Sequence, residues 1–140
     1  MIYKRKAYGV IRQDDRILIF RQQMDDGTED VAQFPGGTID DGESIENGLL
    51  REVYEETGLS DLEIVRQLSC STYVPIDTVR SLRHFCLLRC NQPMRETWLH
   101  YEMHSSEHDV PLAYLYRWTS LEEAKHILGA GHEDVLHLLT

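Results

Sequence analysis

Three glutamates near the middle of the chain lie close enough in sequence to bind a metal ion together. Glu52, Glu55 and Glu56 fall within five consecutive residues. In a helix, rotation of about 100° per residue would place these carboxylates on one face. Mg²⁺ prefers oxygen ligands and usually keeps positions open for water and substrate phosphates. The spacing therefore predicts that these side chains can converge on a site for divalent cations, of which Mg²⁺ is the expected one.

The sequence around these glutamates predicts the helix that this geometry requires. Ser44 has a hydroxyl that can accept a hydrogen bond from an unpaired backbone N–H in the first turn. Gly58 ends the segment, because glycine adopts the left-handed conformation at a helix C-terminus without steric cost. The helix is therefore expected to run from Ile45 to Thr57.

The apolar side of this predicted helix favours a metal over bare carboxylates. Its apolar stripe consists of Ile45, Leu49 and Val53. Glu56 falls on the same side as this stripe, where an unpaired carboxylate is costly, and Glu52 and Glu56 are like charges four residues apart. A divalent cation would remove both penalties. The alternative is a solvated acidic face in which Arg51 pairs with Glu55.

Two glycine-containing turns lead into the acidic helix. Residues 34–37 (FPGG) form a tight turn element, in which a glycine pair lets the backbone approach a ligand closely. Residues 40–43 (DDGE) form a second turn immediately before the helix. This arrangement favours a built site over a solvated acidic face.

Residues 37–59 resemble the signature of the Nudix (MutT-like) hydrolases. The pattern is Gly37, five residues, Glu43, seven residues, and then residues 51–59 (REVYEETGL). Every fixed position of the pattern is filled, and residues 34–36 also resemble the family. Gly48 stands where the family more often has alanine, a change that costs a helix about 1 kcal/mol unless it allows close packing.

The resemblance implies both a fold and an activity. The implied fold is an α/β/α sandwich with a mixed β-sheet between helices, formed by residues 1–140 as a single Nudix domain. The implied activity is Mg²⁺-dependent hydrolysis of a nucleoside diphosphate linked to another group, such as a nucleoside triphosphate, ADP-ribose or a nucleotide sugar. Two readings from other classes are a non-catalytic Nudix-fold nucleotide-binding or regulatory module, and an isoprenyl diphosphate isomerase. Non-catalytic modules of this fold usually lack the signature glutamates, whereas this sequence has all of them. The isomerase needs a nucleophilic cysteine, and none of the cysteines here lies in a recognisable motif.

The same resemblance implies roles for individual residues. Glu52, Glu55 and Glu56 would be the catalytic metal ligands, and the backbone carbonyl of Gly37 would complete the coordination shell. Glu43 and Arg51 would hold the loop and the helix together through an ion pair, although a metal role for Glu43 is also open.

The general base is less defined, because in this family it is either one of these glutamates or an acid on a later loop. Glu107 lies nearest to the place before Trp118 where relatives often carry such an acid. The other candidates are Glu96, Glu102 and Asp109. The alternative for all four is a solvated loop.

Other residue groups admit a chemical interpretation and a simpler one. His100, His104 and His108 recur every four residues but lack helix signals, so we expect surface histidines rather than a metal site. Cys70, Cys86 and Cys90 have no CxxC spacing and are expected to be buried reduced thiols.

A base-stacking role is considered for Tyr73, Phe34 and Phe85, for which packing is the simpler interpretation. Pro75 lies where ADP-ribose-cleaving relatives often place a proline, but a turn at a strand end explains it equally.

Length and charge limit the classes of function. The 140 residues suit one domain, and the formal net charge of −10 argues against broad nucleic-acid binding through a basic face. This charge also repels phosphates, a problem that bound cations solve locally. No apolar run is long enough for a membrane span, so a cytoplasmic protein is expected. The family resemblance implies that its substrate is a small nucleotide. The sequence leaves a homodimer open.

The alternation of apolar residues predicts the elements that must position the acidic helix. Strands are predicted at residues 4–12, 16–22, 81–90 and 112–118, a long strand or a bulged pair at residues 62–74, and a strand or an extended loop at residues 97–103. Further helices are predicted at residues 121–128 and 132–139. Ser120 and Glu123 are expected to form a capping box at the first of these.

Overall fold

A computed structural model describes residues 2–22, 31–76, 79–93, 97–102 and 112–139 of the chain. Its strands are β1 (Ile2–Gln13), β2 (Arg16–Gln22), β3 (Gly36–Thr38), β4 (Leu62–Ile76), β5 (Val79–Cys90), β6 (Thr97–Glu102) and β7 (Leu112–Ser120). Its helices are α1 (Ile45–Thr57), α2 (Leu121–Ile127) and a C-terminal 3₁₀ helix (His132–Leu139). The predicted positions of the strands and helices are confirmed, and β3 is the strand that the sequence did not predict.

The strands form one mixed sheet in the order β4-β5-β1-β2-β7-β6, with β3 paired to β1 beside this path. The pair β1–β5 is parallel and the other strand pairs are antiparallel. β1 changes its partner along its length, because residues 6–8 pair with β3 whereas residues 12–13 pair with β2. β1 and β2 therefore separate towards the start of β1, and the sheet opens there.

Two apolar cores cover the two faces of the sheet. Side chains of α1 pack against one face, in a core that includes Ala7, Ile11, Leu18, Leu49, Val53 and Leu88. Side chains of α2 and the 3₁₀ helix pack against the other face, in a core that includes Val10, Ile17, Phe34, Phe85, Ala124 and Leu136. The predicted α/β/α sandwich is confirmed.

The sequence signals at both ends of α1 form the contacts that they predict. The Ser44 side chain accepts a hydrogen bond from the backbone N–H of Asn47 at 3.1 Å. Gly58 adopts the left-handed conformation with φ of 78°, and its N–H donates to the carbonyl of Tyr54. Leu49 and Val53 are fully buried, so the face of α1 that carries the glutamates is fixed relative to the sheet.

Two smaller predictions are corrected. The Ser120 hydroxyl accepts from the Glu123 N–H as expected, but the Glu123 carboxylate accepts from Thr119 and Arg117, and it thereby ties α2 to β7. Cys86 and Cys90 are buried, whereas Cys70 is exposed. The expectation of a buried thiol is wrong for Cys70 because β4 is an edge strand. Within the described ranges, no helix is long and apolar enough to cross a membrane.

Candidate active site

Arg51 is the centre of the ionic contacts on α1. Its guanidinium contacts both oxygens of Glu43, with Nε–Oε2 at 2.7 Å and Nη2–Oε1 at 2.8 Å. It also lies 3.5 Å from Asp40 and donates to the carbonyl of Thr38. The hydrogen bond from Arg51 lowers the pKa of Glu43 to about 2. The ion pair expected between Glu43 and Arg51 is therefore present, and it links α1 to the turn before it.

Glu52 and Glu55 share the remaining terminal nitrogen of Arg51. Nη1 lies 3.0 Å from Oε1 of Glu52 and 3.2 Å from Oε2 of Glu55. The Glu52 side chain is only 18% exposed, and its burial raises the pKa of this carboxyl group. The Glu55 side chain is 57% exposed. A buried carboxylate with a raised pKa gains more from a nearby cation than an exposed one does.

Gly37 brings the backbone of β3 directly against Glu52. A Cβ atom at this position would lie 2.5 Å from Oε2 of Glu52. A larger residue at this position would therefore force the Glu52 carboxylate to move away from the strand. Backbone and carboxylate oxygens at this point are the donor set that Mg²⁺ and Mn²⁺ prefer.

Glu56 contacts a different part of the fold from Glu52. Its Oε2 accepts from the backbone N–H of Gly36 at 3.2 Å and from the hydroxyl of Tyr116 at 3.4 Å. Glu52 and Glu55 thus contact Arg51, while Glu56 contacts β3 and β7. Among the described residues, no group of three histidine, cysteine, aspartate or glutamate side chains is close enough together to hold a metal ion.

An open cleft of about 230 Å³ begins at Glu56. It lies where β1 and β2 separate, and its aromatic wall is formed by Phe20, Tyr114 and Tyr116. The other residues at the cleft are Lys6, Tyr8, Gln22, Val31, Gln33, Gly36 and Gly37. Phe20 and Tyr114 meet edge to face at a centroid distance of 5.3 Å. The cleft therefore combines flat apolar surface, amide groups and the cationic side chain of Lys6 next to Glu56, one of the three glutamates.

A sequence profile of the NUDIX domain matches residues 3–139, which is nearly the whole chain. This chain belongs to the Nudix family. An RNA pyrophosphohydrolase of Brucella abortus (strain 2308) is 28% identical over 104 residues, which cover 74% of this chain and 57% of the relative. The chain thus spans a little over half the length of the curated relatives of this kind.

Solved structures support the same fold. The MutT NUDIX hydrolase of Burkholderia pseudomallei is similar with a TM-score of 0.71, 16% identity and coverage of 100% of both chains. The dihydroneopterin triphosphate pyrophosphohydrolase of E. coli is similar with a TM-score of 0.69 and 16% identity, over 99% of this chain and 97% of that one. At these identities the likeness concerns the Nudix fold alone.

Several residues considered from sequence lie away from the Nudix cleft. Phe34 and Phe85 are buried in the core under α2, and Tyr73 lies beneath the Arg83 guanidinium at 4.0 Å, so all three serve packing. Pro75 lies within β4. Residues 97–102 form a strand, which excludes a helical histidine face at His100. The candidates Glu96, Glu107 and Asp109, together with His104 and His108, lie outside the described residues, and so does the side chain of Glu102.

The sequence analysis missed the cleft residues on β2 and β7. Phe20, Tyr114 and Tyr116 come together only because β2 pairs with β7, with Phe20 opposite Tyr116. The signal that was available is the period of two in β7, which places Tyr114, Tyr116 and Trp118 on one face. Lys6 and Gln33 carried no comparable signal, because they reach the cleft through the separation of β1 and β2.

Proposed function

We propose that this chain is a Mg²⁺-dependent pyrophosphohydrolase that cleaves a nucleoside diphosphate linked to another group, by attack of water on phosphorus. The observation that carries this proposal is that Glu52 lies against Gly37 and Glu56 accepts from the Gly36 N–H, while Glu56 and both glycines line the aromatic cleft. A nucleoside in the cleft would place its phosphates next to these carboxylates. The complete Nudix signature supports the same activity.

The proposed metal ligands are Glu52, Glu55, Glu56 and the carbonyl of Gly37, with Mn²⁺ as an alternative ion. When bound, the cation neutralises phosphate oxygens and lowers the pKa of a coordinated water. The residues present suit this ion, because the donors are hard oxygens and the partly buried Glu52 carboxylate lies against the Gly37 backbone. The ion pair between Glu43 and Arg51 holds α1 against the turn that precedes it. The proposed general base is Glu107 or one of the signature glutamates.

The remaining cleft residues suit the rest of the substrate. Phe20 and Tyr114 offer flat surfaces for an aromatic ring, and the amides of Gln22 and Gln33 can hydrogen-bond with its edge. Lys6 supplies a positive charge for a phosphate. A volume of about 230 Å³ is below the usual range for sites that enclose a drug-sized ligand, so we expect the cleft to hold one base, with the phosphates at its mouth.

The linked group is the open part of the proposal. The relatives named above include an RNA pyrophosphohydrolase and a dihydroneopterin triphosphate pyrophosphohydrolase. The net charge of −10 opposes binding of a long polyanion, which favours small nucleotides. A substrate panel should therefore contain nucleoside triphosphates, ADP-ribose, nucleotide sugars and an RNA oligonucleotide with a 5′-triphosphate.

The test is phosphate and pyrophosphate release from this panel with Mg²⁺ or Mn²⁺, for the natural protein and for Glu52→Gln. Glu52→Gln is expected to lower kcat by about 100-fold or more, because several kcal/mol of charge stabilisation are lost. Glu46→Gln is the matched control, since Glu46 is exposed in the first turn of the same helix, and it should keep full activity. Equal turnover by Glu52→Gln and the natural protein would refute the assignment.

The same panel distinguishes the alternative of a non-catalytic binding module. Nucleotide binding without turnover of any compound, under either metal, would favour the module. We further propose that residues 1–140 form one cytoplasmic Nudix domain. Gel filtration with light scattering decides between a monomer and the homodimer that the sequence left open.

A further inference from the structure

Tyr116 combines complete burial with a polar contact to the acidic motif. The residue is 0% exposed. Its ring stacks on Trp98 at a centroid distance of 5.4 Å with an interplanar angle of 12°, and it packs on Phe20 at 5.2 Å. A buried tyrosine hydroxyl needs a hydrogen-bond partner. The two flanking rings therefore fix the direction in which this hydroxyl points.

The partner of the Tyr116 hydroxyl is Oε2 of Glu56, at 3.4 Å. The same oxygen accepts from the Gly36 N–H at 3.2 Å. One donor belongs to β7 and the other to β3, and these strands lie on opposite sides of the opening in the sheet. Donors from two different strands thus hold the Glu56 carboxylate at the cleft.

We propose that Tyr116 is a positioning residue, which holds Glu56 in the orientation required for metal binding and links it to the aromatic wall that receives the base. This inference rests on the proposed function, because it gives Glu56 a role in ligating the metal. Tyr116 lines the same cleft as Phe20 and Tyr114. Because Tyr116 itself is fully buried, a ring seated on that wall would contact Phe20, against which Tyr116 packs.

Tyr116→Phe tests the proposal, because it removes the hydroxyl and keeps the ring between Trp98 and Phe20. The dissociation constant of Mn²⁺, measured by titration calorimetry without nucleotide, should rise about tenfold, the usual range for a hydrogen bond to a charged group. The kcat should fall by a similar factor, whereas KM for the best substrate of the panel should stay within about twofold. Tyr54→Phe is the matched control, because Tyr54 lies on α1 but is 57% exposed, and none of these quantities should change.

A hydroxyl with a purely structural role would change stability but not Mn²⁺ affinity or kcat. Values within about twofold of the natural protein, in a Tyr116→Phe variant that folds normally by circular dichroism, would therefore overturn the proposal. An increase in KM with kcat unchanged would also overturn it, since the hydroxyl would then serve substrate binding.

A double-mutant cycle separates this inference from the proposed function. Tyr116→Phe, Glu56→Gln and the double variant are unfolded with urea in the absence of metal. Non-additive free energies support the contact between the two side chains, and additive ones overturn it. If the natural protein neither binds Mn²⁺ nor hydrolyses any compound, the proposed function fails together with the metal-positioning role. The cycle then still decides whether Tyr116 orients Glu56.

Discussion

At the scale of single residues, the site depends on how closely backbone and carboxylate approach each other. Gly37 has no side chain, and the space that a Cβ would need is taken by Oε2 of Glu52. Movement of the Glu52 carboxylate away from Gly37 is restricted, because its other oxygen accepts a hydrogen bond from Arg51 and the side chain is largely buried. Gly37 therefore affects the position of Glu52 directly.

We predict that Gly37→Ala lowers kcat by at least about tenfold while the protein stays folded. The added methyl group would displace the Glu52 carboxylate, and a small misplacement of a catalytic group has a large effect on the rate. Thr38→Ala is the control, because Thr38 lies next in β3 and its side chain is exposed. Steady-state assays and thermal melts of the two variants give the comparison. Full activity in Gly37→Ala would mean that Glu52 does not need this approach.

At the scale of elements, the sequence predicts those parts whose signals are local. The bounds of α1 follow from Ser44 and Gly58, which act within one turn of the helix ends. The contact of Glu123 with Thr119 and Arg117 was missed, because β7 offers this carboxylate donors that compete with the local capping box. The contact between Tyr116 and Glu56 spans 60 residues, and no periodicity in either segment indicates it.

The position of Gly48 in α1 also has a physical reason that lies outside the helix. A Cβ there would lie 2.6 Å from Cδ1 of Ile39 and 2.9 Å from Oε1 of Glu43. Alanine would favour the isolated helix by about 1 kcal/mol, but it would press on the loop that carries Glu43. The glycine thus allows α1 to pack closely on the preceding loop, which is the explanation that the sequence suggested.

We predict that Gly48→Ala alone destabilises the protein by about 1–2 kcal/mol, because overpacking exceeds the gain in helix propensity. Ile39→Val removes the Cδ1 methyl group that clashes. In the double variant Ile39→Val/Gly48→Ala, the effect of the alanine should therefore shrink or change sign. Urea unfolding of the two single variants and the double variant measures this. A Gly48→Ala variant more stable than the natural protein would contradict this, because it would show that the loop before α1 moves to accommodate the methyl group without a net cost.

At the scale of the whole molecule, the cleft exists because one edge of β1 pairs with two different strands, β3 and β2. Residues 6–8 of β1 pair with β3 and its residues 12–13 with β2, so the two halves of the sheet separate beside the acidic helix. Sequence patterns predicted most strands, but they did not predict which strands would be neighbours. The exposed position of Cys70 and the composition of the aromatic wall both follow from that order, and both were missed for this reason.

His132 connects distant parts of this arrangement. It begins the 3₁₀ helix, is 1% exposed, and its Nδ1 accepts from the Phe34 N–H at 3.0 Å. Its ring meets Tyr8 and Phe85 edge-on. Burial, followed by the nearby charges of Arg83 and Lys6, lowers its pKa to about 3. The neutral imidazole thereby anchors the C-terminal helix to the segment that leads into β3.

The buried neutral histidine should make the whole protein less stable as the pH falls from about 7 to about 5. In this range the unfolded state takes up a proton at a pKa of about 6.5, whereas folded His132 does not until about pH 3. Its contribution to stability is therefore complete above the unfolded pKa and decreases below it, by about 2 kcal/mol at pH 5. Urea unfolding at several pH values should show this slope.

His132→Asn should flatten the pH dependence of the unfolding free energy by removing the titrating group, although the variant is less stable overall. His126→Asn should keep the slope of the natural protein, because His126 is exposed. Parallel curves for the natural protein and His132→Asn would show that His132 is not held in its neutral form.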